Sequence, residues 1–132
     1  MIRSVSFGSL YSNFLQQNNN QQKQDLINKN YSEIYAHEQA HKSAGGALAG
    51  SIVIEKNADG IPVGGHVDIK MPTLNPDNPQ KTIDEANIVI RSAMAPGDPS
   101  PQDYKVAAKA REIKAQAQSM LTTRGRKLNV MG

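Results

Sequence analysis

Cysteine and tryptophan are both absent from the 132 residues. Without thiols the chain can form no disulfide framework, use no cysteine nucleophile and offer no thiolate to a metal. Any bound metal must be held by His, Asp or Glu. Aromatic residues are scarce at 5%, so a core has to be built from Ile, Val, Leu, Ala and Met. No stretch approaches the roughly 20 apolar residues that span a bilayer. The opening MIRSVSFGSLYSNF has no apolar run of the roughly 7–15 residues found in a secretory signal, so the expected location is cytoplasmic. The length suits one small domain.

Charge is present but unevenly placed. The chain has 15 Lys and Arg against 12 Asp and Glu, a net +3. Residues 1–100 sum to −2 and residues 101–132 to +5. A basic end can meet nucleic acid, but no aromatic follows Tyr104 to stack on bases. A solvated helix face and tail is the better account, and nucleic acid is disfavoured as a partner.

Residues 16–24, QQNNNQQKQ, form a polar tract with nothing to bury, which predicts a flexible linker. It sets off an N-terminal arm holding Phe7, Leu10, Tyr11, Phe14 and Leu15, apolar enough to dock on the domain or on a protein partner. The expected organisation is therefore arm and linker over 1–24, a domain over 25–123 and a basic tail over 124–132.

Within the domain, Asp25 to Ala44 has helical character, with Asn30 and Glu33 shaped as a capping box and Ile27, Tyr31, Ile34 and Ala44 as the apolar stripe. Gly45-Gly46 ends it. Ser51–Glu55 and Ile61–Ile69 flank the turn residues Asn57-Ala58-Asp59-Gly60 and predict a hairpin. On the return strand Val63, Val67 and Ile69 share one parity, expected to face the core. His66, Asp68 and Lys70 share the other. A proline-rich loop leads to a helix opened by Thr82 and Glu85, with Ile83, Ala86, Ile90, Ala93 and Met94 as its stripe. Ser100 as cap, Pro101 and Asp103 launch a last helix carrying Val106, Ala110, Ile113, Ala117 and Met120, ended by Gly125. The predicted order α–β–β–α–α makes an α+β domain with a very small sheet.

The chemistry concentrates in His37-Glu38-Gln39-Ala40-His41. Positions i and i+4 lie one turn apart on the same helix face, so two imidazoles can converge on one Zn²⁺ at about 2.0–2.1 Å each. Glu38 sits at the edge of that face. There it can take a proton from a water whose pKa the metal lowers, freeing the water to attack a polarised carbonyl. With three His and five Glu, the pattern would arise in roughly 0.3% of shuffled chains.

A catalytic zinc needs a third protein ligand and an open position. His66, following Gly64-Gly65 on a strand, is the leading candidate, although strand parity turns it from the core unless the glycines twist the strand. Glu33, one turn before His37, and Asp68 are alternatives. Asp103 is explained by helix capping, with a role in orienting a ligand histidine as a lesser reading.

Several separated motifs in order resemble the SprA-related family of bacterial zinc-metallopeptidase-like domains. They are His37–His41 with Gly45-Gly46, Asp59-Gly60, Gly64-Gly65-His66-Val67-Asp68-Ile69, Pro79 before Thr82-Ile83, Ala93-Met94-Ala95-Pro96, and Pro99-Ser100-Pro101-Gln102-Asp103 leading to Val106-Ala107-Ala108. The family typically reads Gly-Gly-Glu-Val where this chain has Gly-Gly-His-Val. If that Glu is a ligand, His66 replaces it and makes a three-histidine site.

The resemblance implies a metal-dependent, peptidase-like domain. The expectation is a minimal zincin-like α+β domain: an HExxH helix, then a β-hairpin and two further helices. His37, His41 and His66 would hold Zn²⁺ and Glu38 would serve as general base toward a peptide or protein substrate. The rival is a non-catalytic binding or structural module with structural zinc or none.

Overall fold

A computed structural model describes the backbone of residues 7–131 and the side chains of residues 10–125. Residues 1–6, on which the reading of the N-terminus partly rests, and residue 132 lie outside the described residues. Among the described residues three helices and one antiparallel hairpin make the fold: α1 (Phe7–Gly45), a single 3₁₀ turn, β1 (Ala49–Lys56), β2 (Pro62–Ile69), α2 (Pro79–Ala93) and α3 (Pro101–Met131). This is the expected α+β order. Among the described residues no helix is long and apolar enough to cross a membrane.

Helix α1 does not begin at Asp25. The tract expected to be a flexible linker, and the arm before it, continue the helix without a break from Phe7. Gln is a good helix former, and the polar side chains pair along the helix: Gln21 Nε2 donates to Asp25 Oδ1 at 2.9 Å and Gln24 Nε2 to Asn28 Oδ1 at 3.0 Å. Such i,i+4 pairs each add a few tenths of a kcal/mol, about 0.2–0.5. Leu10, Tyr11, Phe14 and Leu15 are exposed. Asn30 is no cap; its Nδ2 donates to the carbonyl of Pro62, tying α1 to the hairpin. Tyr31, expected in the stripe, is exposed and stacks on Tyr35. At the other end Gly46 adopts φ +53°, a left-handed turn that ends the helix as expected.

The hairpin packs on α1. Its register pairs Ile52 with Val67, Val53 with His66 and Ile54 with Gly65. Val67 and Ile69 are partly buried while His66, Asp68 and Lys70 are exposed, so the predicted parity holds over this stretch. It fails at Val63, which is 61% exposed. A register shift between Glu55 and Lys56 leaves Val63 without a cross-strand partner, and Pro62 takes the buried place. Gly65 faces α1 at a distance no side chain would permit. A Cβ there would lie 2.7 Å from Ile34 Cγ2, 2.9 Å from the Val53 carbonyl oxygen and 3.2 Å from Glu38 Cγ.

Helix α2 starts three residues before Thr82. Asn78 is the cap, accepting from Lys81 N, and Pro79 opens the first turn. Thr82 instead ties down the preceding loop, donating to Thr73 O and accepting from Asn75 N. Helices α2 and α3 meet along small side chains: Ile83, Ala86, Val89 and Ala93 on one, Ala107, Ala110 and Ala117 on the other. Helix α3 opens at Pro101 as read, but runs through Gly125 to Met131, so the expected basic tail is helical.

Replacing Gly65 with Ala is expected to destabilise the fold by about 1–3 kcal/mol, the range for forced overpacking, because one of its clashes is with backbone. The midpoint of thermal or denaturant unfolding checks this.

Candidate metal centre

The last turns of α1 present a polar face to the interior. Ile34, Glu38, His41 and Gly45 recur at spacings of four, three and four, which is a helical stripe. Two of the four are ionisable, and both are buried: Glu38 is 6% exposed and His41 5%. Burying such groups is costly unless they are satisfied, so their partners carry the information.

His41 Nδ1 lies 2.7 Å from the carbonyl oxygen of Ser92. A carbonyl only accepts, so Nδ1 carries the proton. In return Ser92 Oγ donates to the His41 carbonyl at 2.6 Å, which fastens α1 to α2 at this point. His37 Nδ1 lies 3.3 Å from Asp98 Oδ1, again an acceptor. The Nε2 atoms of the two rings approach each other to 3.2 Å, and a His37 proton on the Nδ1 side would leave both with a lone pair in the gap. Acceptors at the outer nitrogen are what orient metal-binding imidazoles.

A carboxylate completes this cluster from the opposite side. Asp103 Oδ2 is 3.3 Å from His37 Nε2 and 3.2 Å from His41 Nε2. The first turn of α3 delivers it. Asp103 N donates to Ser100 Oγ at 3.1 Å, and Ser100 N donates to the same Asp103 Oδ2 at 2.8 Å, a reciprocal capping arrangement that fixes the side chain. Converging electron-pair donors of this kind repel one another unless a cation or a shared proton lies between them. His37, Glu38 and His41 each offer one ligand atom within 4.8 Å of the others, a group that could hold a metal ion.

Glu38 is used differently. Among the described residues no hydrogen bond or ion pair engages its carboxylate, and no fully enclosed side-chain oxygen or nitrogen lacks a partner. Its oxygens therefore touch the solvent of the adjoining cavity. That cavity, about 400 Å³, is walled by His37, Glu38, His41 and Asp103 together with the whole run from Gly65 to Ile69. Five consecutive strand residues of both parities share only their backbone edge, and among the described residues β2 pairs with β1 alone.

The three expected site residues on α1 thus stand together. His66 stands apart from them. It lines the same cavity, but parity keeps its ring on the outer face of the hairpin, where Nδ1 bonds Glu55 Oε1 at 3.1 Å and the side chain is 47% exposed. The glycine pair brings the strand against α1 without turning His66 toward it. Glu33 and Asp68 are exposed.

A family model for the SprA-related family matches residues 12–130. The chain belongs to the SprA-related family. Comparison with curated proteins and with solved structures gives no match. In this SprA-related chain, sequence reasoning passed over Ser92 and Asp98, both of which position the imidazoles. The signal for Ser92 was a hydroxyl beside the apolar stripe of α2; Asp98, in a short Gly-Asp-Pro turn, carried none.

Ser92→Ala is expected to lower stability by about 1 kcal/mol through loss of a buried hydrogen bond, measured as the shift of the denaturation midpoint.

Proposed function

We propose that the chain is a zinc-dependent peptidase in which His37 and His41 are metal ligands and Glu38 is the general base. The observation that carries this reading is the approach of the two Nε2 atoms to 3.2 Å beside a carboxylate that, among the described residues, no hydrogen bond or ion pair engages. The donor set fits the ion: imidazole and carboxylate are ordinary zinc ligands, and both rings are oriented from their outer nitrogens. Bound there, Zn²⁺ would lower the pKa of water and polarise a carbonyl.

The rest is done by the chain's own residues. Glu38, fixed against Gly65 and open to the cavity, takes the proton from the attacking water at a carboxylate oxygen and returns it to the leaving amine. Ser92 and Asp98 hold the rings in the tautomer that leaves Nε2 free. The free edge of β2 offers alternate N–H and C=O groups to an extended peptide, which would add as a further strand. Such binding reads backbone more than side chains and suits an unfolded segment. The peptide-bond chemistry rests on this edge.

Protein purified without a histidine tag is expected to contain about one zinc per chain by elemental analysis. Glu38→Gln is expected to keep the zinc and lose hydrolysis of a randomised peptide pool by about 10²–10⁴-fold, the usual contribution of a positioned base. Zinc-loaded wild type that cleaves nothing in the pool would favour the binding-module alternative.

A further inference from the structure

We infer that Asp103 is the third protein ligand of the metal, in the place the sequence suggested for His66. This deepens the proposed function and rests on its metal site. The argument is one of distances. Four ligands about 2.0–2.1 Å from a tetrahedral zinc lie about 3.3–3.4 Å from one another. His37 Nε2, His41 Nε2 and Asp103 Oδ2 form a triangle with sides of 3.2, 3.3 and 3.2 Å. That is one face of such a tetrahedron, built by protein atoms alone, and it leaves the remaining vertex for solvent.

The alternatives fare worse on the same test. His66 has its partner in Glu55, and among the described residues no ion pair or hydrogen bond links it to the cluster. Glu33 lies on the helix that already supplies both histidines, exposed. Asp68 points outward from β2 with His66. Glu38 is close to both rings, but in the proposed function its carboxylate must stay free to take a proton.

Asp103 is also constrained as a ligand should be. Its Oδ2 spends one lone pair on Ser100 N–H at 2.8 Å and directs the other side of the atom at the imidazoles. Its side chain is 16% exposed, so water screens it little. The residue comes from α3, whereas both imidazoles come from α1. A metal held by all three would therefore join two helices that have little other contact.

The test compares zinc affinity, by chelator competition, in wild type, Asp103→Ala, His66→Ala and Ser100→Ala. Residues that only orient a ligand cost about 10–100-fold. Asp103→Ala is expected to lose more than about a hundredfold, with a changed absorption spectrum of the cobalt-substituted protein. His66→Ala should stay within about threefold of wild type. Ser100→Ala removes the cap but not the ligand, and should lower thermal stability while keeping the wild-type cobalt spectrum.

Asp103→Ala binding zinc as wild type does, or His66→Ala losing it instead, would overturn the assignment and leave a metal peptidase standing. A wild-type protein that binds no zinc would overturn the assignment together with the reading beneath it. If Asp103→Ala fails to fold, Asp103→Asn, which keeps an acceptor for Ser100 N–H but loses the charge, answers the same question. A wild-type affinity and cobalt spectrum in that variant would count against the assignment.

Discussion

The structure depends on burying two ionisable side chains where apolar ones would ordinarily go. Glu38 and His41 lie on the stripe of α1 that packs into the domain, and each needs an answer to the cost of leaving water. For His41 the answer is the carbonyl of Ser92 on α2. For Glu38 it is contact with the cavity. The neighbouring elements are arranged around these requirements: β2 can approach because position 65 has no side chain, α2 turns a hydroxyl and a carbonyl toward α1, and α3 starts where its first carboxylate meets the rings. An apolar stripe would pack with fewer demands. The polar groups retained there are what make this face a candidate site.

Much of the fold was legible in the sequence. The end of α1 at Gly45-Gly46, the hairpin around Asn57 to Gly60, and the start of α3 at Ser100-Pro101 follow from local chemistry that packing does not override. The alternation of Val67 and Ile69 against His66, Asp68 and Lys70 also survived. Where the reading failed, a competing interaction explains it. The Gln and Asn tract has no apolar face, which argued for a linker, yet it is helical, and Gln21 and Gln24 bond to Asp25 and Asn28 one turn further along. Thr82 and Glu85 had the form of a cap, but Asn78 and Pro79 lie earlier and act first. Val63 was placed by counting in twos, and a register shift breaks the count.

The site was legible in part for a related reason. A spacing of four on a helix is local, so His37, Glu38 and His41 could be assembled from sequence. Asp98 and Asp103 lie more than sixty residues along the chain from His37, and no periodicity links them. Asp103 was hidden further by its adequacy as a cap: one sufficient explanation drew attention from another. The opposite happened with His66, where residue type suggested a ligand and strand parity, already readable, argued against it.

The two duties of Asp103 have a consequence for motion. Helix ends open more readily than helix middles, and the first turn of α3 is such an end. When it unwinds, the bond from Ser100 breaks and the carboxylate departs from the imidazoles in the same event. Opening that first turn would therefore separate the carboxylate from the imidazoles without unwinding α1.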